Sequence, residues 1–532
     1  MALNLVAFDI LFVFSVIAMV AVWRRSQTSK VRRGLPLPPG PRGLPVVGNL
    51  FDMPDTNEWV VYRDWGVKYG SDVVCVSTIG LHVVIVNSAR AAHDLFERRS
   101  ALYSDRPALT AIRYIGADTW NLGFLRYGAE WRTQRKLFHE QFRPEVLSRY
   151  EPHQEKAVHE FLRAMAASSG HAMDMDQFRS TIRQLTGTTI VYIAYGREVQ
   201  GPDDPYLVML EEAVAAINEA TKLKALTLDL LPFLQRMPVW FPGAGFKKYA
   251  AEVRPHVGEV VRDKPWDEFV ADTKAGCETR RASIAGQLLT KYGNDPALLD
   301  AAKAVVSVMY VAGADTTVSA LSSFFLAMVL CPDSQRRAQK ELDDVLRGSL
   351  PTLANQDDLP YTTALVKEVF RWHPVTTLGV PHALTEDDVY NNMFIPAGST
   401  VIGNVWAILH DPSLFPDPDT FDPAHFISSD NGGTYPVEAC KRGEPPFPEA
   451  AFGFGRRICL GRLLAKNTVW LTVASVLSAF DILPVKDENG VDVPVEDTWS
   501  SGTVGFPARF ECIFRPRSQQ AMEAISVIVT ET

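Results

Sequence analysis

Cysteine is scarce in this chain and never paired in sequence: Cys75, Cys277, Cys331, Cys440, Cys459 and Cys512 are scattered over 532 residues. The absence of C-x-x-C and of any dense cysteine framework argues against a zinc ribbon, a dithiol redox motif or a secreted disulfide scaffold. Positive charge is also in short supply. There are 53 Lys and Arg against 62 Asp and Glu, a formal net charge of −9. General nucleic-acid binding relies on a basic footprint, so no nucleic-acid partner is expected. No G-x-G-x-x-G follows a strand-like run, which removes a dinucleotide or flavin domain. No Asn-x-Ser/Thr acceptor occurs either, as fits a cytosolic catalytic face. The composition, 47% hydrophobic and 22% charged, is ordinary for a globular chain long enough for one large domain or two.

One apolar run stands out at the start. Leu3 to Trp23 has roughly the ~20 residues of a bilayer-spanning helix, flawed by Asp9. Ile10–Trp23 also has the length of a signal-peptide core. The charges, however, follow the run as Arg24, Arg25, Lys30, Arg32 and Arg33, which keeps the downstream chain cytosolic. The stiff stretch Leu35-Pro-Leu-Pro-Pro-Gly-Pro-Arg-Gly-Leu-Pro45 then reads as a spacer. The expected organisation is a single anchor over 1–23, a basic and proline-rich hinge over 24–48, one catalytic domain over 49–515 and a tail over 516–532.

Beyond the hinge the pattern is mainly helical with small sheets, an α+β class. Val73–Ile79 and Leu81–Val86 read as a hairpin of β-branched residues. Helical periodicity covers Arg90–Arg99, Glu130–Gln141, a long apolar Asp300–Leu330, a charged Ser334–Arg347, and Tyr361–Trp372. Short β-type runs between Val375 and Val405 suggest a second small sheet. Phe415–Gly455 is Pro/Gly-rich and irregular, and a long loop in a compact domain is usually functional.

That loop runs into Phe452-Gly-Phe-Gly-Arg-Arg-Ile-Cys-Leu-Gly461. A buried structural thiol in a Gly-rich turn is the bland reading. The sharper one is a metal-binding thiolate. Gly453 and Gly455 let the backbone approach a flat macrocycle, loop N–H groups can hold the sulfur as thiolate, and Arg457 supplies a fixed cation. Phe452 would shield the sulfur, and Gly461 would let the next helix pass under the ring. The complete pattern Phe-x-x-Gly-x-Arg-x-Cys-x-Gly resembles the haem-binding signature of the cytochrome P-450 family. The resemblance extends over about residues 36 to 515 and is greatest with fungal microsomal members.

The resemblance implies haem b (heme) with Cys459 as axial ligand, a donor that favours O–O cleavage. It implies Trp131 and Arg135, in Trp131-Arg-Thr-Gln-Arg135, as propionate contacts, with His382 as a further one. Ala312-Gly-Ala-Asp-Thr-Thr317 on the long apolar helix is similar to the family's oxygen-activation sequence, with Asp315 and Thr316 as a proton relay. Thr316 can bond its i−4 carbonyl or release it to water and open a bulge. Capping or packing is the bland alternative for the Thr pair. Glu368 and Arg371, at i and i+3, resemble the family's structural clamp. Its third member lies in Phe421-Asp-Pro-Ala-His-Phe426, where His425 stands in place of the usual Arg. Histidine lacks the bidentate fork and fixed charge, so a weaker or pH-sensitive clamp is expected.

The family's activity would be insertion of one oxygen atom from O₂ into a lipophilic small molecule, in secondary metabolism such as terpenoid tailoring or in xenobiotic oxidation. Electrons would come from NADPH through a separate NADPH-cytochrome P-450 reductase, with cytochrome b5 as a second donor. The protein would sit on the endoplasmic reticulum membrane with its catalytic domain in the cytosol. Arg126, Arg132, Lys136, Lys441, Arg442 and Arg456 would form a basic docking patch, or else ordinary surface charge. Substrate contacts would come from Ser104–Phe124, Val308–Ala314, Val375–Pro381 and Ser501–Val504, mostly apolar apart from Arg113 and Asp118. A peroxide-driven or rearranging haem-thiolate enzyme, and a haem sensor or carrier, remain as alternatives.

Overall fold

A computed structural model describes residues 34–527, apart from 46, 79–80, 202, 222–227, 230–231 and 428–447. The N-terminal apolar run, its basic flank, Cys440, Lys441 and Arg442 lie outside the described residues. Seven helices matter for the site: α1 (Ala129–Phe142), α2 (Met175–Tyr195), α3 (Pro205–Thr221), α4 (Pro296–Leu330), α5 (Pro332–Leu346), α6 (Pro360–Trp372) and α7 (Arg462–Ala479).

Helix α4 is the axis of the molecule. Asp295 caps it by accepting from the Ala297 and Leu298 amides, Pro296 opens it with a preset φ, and Cys331-Pro332 closes it. It is long and apolar enough to cross a bilayer, yet most of its central stretch is buried in the protein. A helix apolar on all sides belongs inside a core. Its first half packs Val305, Met309 and Tyr310 against Ile190, Val191 and Tyr195 of α2. Its second half packs Leu321, Phe324 and Phe325 against Phe178 and Phe514, with the Phe178 and Phe325 rings edge-on at 4.3 Å. Truncating one such buried Phe to Ala costs about 3–5 kcal/mol.

The hairpin forms as expected, β1 (Val73–Thr78) antiparallel to β2 (Leu81–Val86). A two-residue β3 (Ala172–Met173) follows, then β4 (His382–Ala383), β5 (Asp388–Tyr390), β6 (Met393–Ile395), β7 (Thr400–Gly403), β8 (Phe480–Pro484) and β9 (Cys512–Pro516). The expected separate sheet between Val375 and Val405 needs correction. Strands β7 and β4 complete the first sheet, in the order β1-β2-β7-β4, and β7 runs parallel to β2 with Val83 opposite Thr400. Only β5 and β6 stand apart, as a hairpin turned by Asn391 and Asn392, both left-handed (φ +50° and +60°). Strands β3, β9 and β8 make a third sheet.

The helix expected over Arg90–Arg99 is also irregular. A short α-turn, Ala89–Ala92, widens into a π-helical turn over His93–Arg98. The proline-rich stretch is docked as well: Pro39 accepts from the Cys75 amide (2.9 Å) and Pro36 from the Phe394 amide (2.7 Å).

Candidate active site

The segment after Phe452 is shaped by its glycines. Gly453 and Gly455 hold positive φ (+82° and +55°), and a Cβ on Gly455 would lie 2.1 Å from the Phe96 carbonyl. The loop folds back so that the Cys459 amide donates to the Phe452 carbonyl (2.9 Å). Cys459 is exposed to a solvent-sized probe although it is set deep in the protein, so its exposure is to internal space. Burial pushes its thiol pKa up, while the Gly461 and Arg462 amides, with the Arg462 and Arg135 charges, pull the other way. The position of a Cβ on Gly461 meets nothing within 4 Å. Phe452 packs tilted at 51° against Phe370 (5.2 Å) and beneath the Lys466 ammonium (5.3 Å).

Beside this loop the fold gathers cations. Arg457 donates to the Ser104, Leu122 and Leu125 carbonyls (2.7, 3.2 and 2.8 Å). Arg135 reaches the Ile458 carbonyl (3.2 Å). Both guanidiniums lie over the buried Trp131 ring, Arg457 at 4.6 Å and Arg135 at 5.3 Å. Sequence reasoning missed a third, Arg106, which is buried and donates to Gly123, Val380 and Pro381 carbonyls. His382 bonds the Tyr103 carbonyl through Nδ1 (2.7 Å). Burial brings Arg135 and Arg457 down to about 10 and pushes Arg106 and His382 well below their usual values, with neighbouring cations adding to the effect. The carboxylate next in line, Asp105, is already engaged by Arg126 and by the Tyr127 and Arg106 amides. One buried guanidinium, Arg106, and two half-buried ones, Arg135 and Arg457, therefore bond carbonyls, not acids.

On α4, Asp315 and Thr316 sit together but face different partners. The Thr316 hydroxyl donates to the Ala312 carbonyl (3.0 Å), so the backbone stays α-helical and the bulge does not open. Ala312 is exposed in the middle of an otherwise buried helix, as expected beside internal space. Asp315 accepts from Arg183 of α2 (3.2 Å), a partner 132 residues away that no local pattern reveals.

The clamp is fully formed. Arg371 uses all five N–H groups: two on Glu368 (both 2.7 Å) and three on the Leu409, Pro418 and Thr420 carbonyls. His425 joins it, with Nδ1 on Glu368 (3.1 Å) and Nε2 on the Pro416 carbonyl (2.7 Å). Both contacts are acceptors, so the ring is satisfied only when both nitrogens carry protons.

A cavity of about 1060 Å³ opens beside the cation cluster. Arg113, Phe124, Leu378 and Thr503 from the expected substrate segments line it, whereas Ile112 and Trp120 are packed in the core. The expectation of a nearly acid-free lining needs correction. Asp55, Glu58, Glu219 and Asp229 also face this cavity, brought in from segments outside those four. No residue of α4 or of the cysteine loop lines it, so it lies to one side of the thiol and not directly above it.

A thiol facing internal space, beside buried and half-buried guanidiniums bonded to carbonyls, is a donor set that fits an anionic metal macrocycle. The Cytochrome P450 family model matches residues 38–505, and the chain belongs to that family. It is 38% identical to Cytochrome P450 monooxygenase ple1 of Rhodocybe pseudopiperita over 520 residues, covering 98% of this chain and 96% of the relative. It is 41% identical to Cytochrome P450 monooxygenase 208 of Postia placenta over 519 residues (97% and 96%). It is 35% identical to Tryptamine 4-monooxygenase of Psilocybe cyanescens over 502 residues (93% and 96%). The protein is thus a haem-thiolate monooxygenase, an oxidoreductase that incorporates oxygen from O₂ into its substrate.

Proposed function

We propose that Cys459 is the thiolate ligand and that Arg106, Arg135, Arg457 and His382 receive the haem propionates. The observation that carries this reading is a set of buried and half-buried guanidiniums that hydrogen-bond carbonyls and no carboxylate. A buried cation is costly unless an anion approaches it, and two propionates fit that need. Gly461 and the exposed Cys459 leave room for the macrocycle between the loop and α4. Bound haem supplies the oxygen-activating chemistry. The chain's own part is to hold the sulfur as thiolate through the Gly461 and Arg462 amides, to exclude water with Phe452, and to deliver protons. Asp315, once released by Arg183, carries a proton to the Thr316 hydroxyl, which faces the internal space. Reduction and exposure to CO test the reading: a band near ~450 nm is expected, and its absence in haem-loaded protein refutes thiolate ligation.

The substrate is a lipophilic small molecule that enters through the 1060 Å³ cavity. The acids there favour a second, narrower reading, an aromatic or terpenoid substrate that carries an amine, since Asp55, Glu58, Asp105, Glu219 and Asp229 line the cavity against Arg106, Arg113 and Arg126. The relative named Tryptamine 4-monooxygenase agrees with it. Electrons come from NADPH through NADPH-cytochrome P450 reductase, assisted by cytochrome b5. Arg126, Arg132, Lys136 and Arg456 are exposed cations near the thiolate loop, and Arg132 and Arg456 share the Tyr127 ring (5.8 and 5.5 Å). That surface suits an acidic partner. Residues 1–23 anchor the protein in the endoplasmic reticulum membrane. Turnover with the reductase against neutral terpenoids and aromatic amines, read by mass spectrometry for one added oxygen, tests the substrate class.

A further inference from the structure

The π-helical turn His93–Arg98 touches the cysteine loop at two successive residues. The Phe96 ring stacks on Phe454 (5.3 Å, planes 15° apart) and also meets His382 (4.5 Å). The Glu97 carboxylate accepts from the Gly455 amide at 2.5 Å. Gly455 opens the 3₁₀ turn Gly455–Arg457, and the first amides of such a turn have no partner within it. Glu97 therefore does for this turn what an N-terminal acid does for a helix, with the short geometry of a charge-assisted bond. Downstream, the Arg457 amide donates to Phe454 (3.1 Å), the Ile458 amide to Gly455 (3.2 Å) and the Cys459 amide to Phe452 (2.9 Å). The amide that Glu97 holds thus belongs to the turn that sets both Arg457 and Cys459. Close backbone contact reinforces it, since Gly455 sits against the Phe96 carbonyl with no room for a Cβ. Single wide π-turns are frequent at functional sites, and here the turn delivers a ring, a carbonyl and a carboxylate to one loop.

We propose that Glu97 is a positioning residue for the thiolate, fixing the loop so that the Cys459 sulfur stays ligated and ionised. The proposal rests on Cys459 being the haem ligand. Glu97 is exposed, so its effect comes through geometry and not through a buried charge. Gln at this position keeps an acceptor for the Gly455 amide, whereas Ala removes it.

The test uses full-length, haem-loaded wild type, Glu97→Ala and Glu97→Gln, reduced chemically so that no redox partner takes part. The readout is the rate at which the ~450 nm CO band converts to a ~420 nm band in mild denaturant, beside far-UV circular dichroism. Loss of one ordinary hydrogen bond corresponds to about a fivefold faster conversion in Glu97→Ala, with Glu97→Gln within about twofold of wild type. In the same denaturant the secondary structure should remain in all three. Equal rates in Glu97→Ala and wild type overturn the proposal, as does loss of helicity in step with the band. A wild-type protein that never shows the ~450 nm band refutes the ligand assignment instead, so the two failures are distinguishable.

Discussion

Two charge clusters, one fully and one partly buried, lie within this fold, and they are built on opposite plans. At the clamp, Arg371 and Glu368 are both fully buried, every guanidinium hydrogen has an acceptor, and His425 adds a further donor to the same carboxylate. Beside the thiol, Arg106, Arg135 and Arg457 are turned onto carbonyls, and the neighbouring acid Asp105 is occupied by Arg126. The first cluster is closed and needs nothing from outside. The second gathers three guanidiniums, one buried and two half-buried, on carbonyls alone, an excess of positive charge suited to receive an anion. The difference separates a scaffold element from a binding element using charge balance alone.

Breaking the closed cluster should have the largest effect. Glu368→Ala leaves Arg371 buried without its acid and should cost about 3–5 kcal/mol, measured by chemical denaturation of the haem-free chain. Arg135→Met sharpens the contrast. It removes a cation with no acid partner, so haem-free stability should change by less than about 1 kcal/mol while haem dissociates about tenfold faster in transfer to an acceptor globin. If the haem-free chain unfolds as easily as Glu368→Ala, the two clusters do not differ as described.

His425 gives the clamp a pH dependence. Burial alone would lower its pKa, but the bonds to Glu368 and Pro416 outweigh that and raise it above the usual value near 6.5. A group with a raised folded pKa contributes stability that is fully present below its unfolded pKa and lost as pH rises through the folded one. Wild-type stability should therefore fall as pH rises above the ordinary imidazole range, and His425→Arg should flatten that slope in denaturation curves taken across pH. The smallest stability effect belongs to the partly buried ion pair between Arg183 of α2 and Asp315 of α4. Asp315→Asn should cost less than ~1 kcal/mol, yet slow oxygen insertion by about 10²-fold and raise peroxide release in reductase-coupled assays.

The closed cluster was the more legible of the two. Glu368 and Arg371 are one helical turn apart, and Phe421-Asp-Pro-Ala-His-Phe426 announces its third member. Cys459, Arg457 and the two positive-φ glycines belong to a single contiguous motif, so they too could be read directly. Arg106 and Arg183 could not. Arg106 is defined by carbonyls near 380, and Arg183 by an acid 132 residues on, and neither has a periodic or motif signature. Strand β7 was misassigned for the same reason, because a four-residue strand does not declare a parallel partner far upstream. The acids of the access cavity come from the α1-preceding helix Glu58–Tyr69, from α3 and from the segment near 229, and only folding collects them.

The parallel pairing of Val83–Val86 with Thr400–Gly403 also sets a timetable for biosynthesis. Roughly 300 residues separate the two strands, so at ~5–20 residues per second β2 leaves the ribosome some 15–60 s before its neighbour exists. During that interval the hairpin Val73–Val86, with six valines, two isoleucines and a bare edge, is the segment most apt to pair with another chain. The loop that carries Cys459 is made later still, so haem capture can only follow synthesis of every strand of this sheet. Chaperone dependence during expression should accordingly track the β1–β2 edge more than the haem supply.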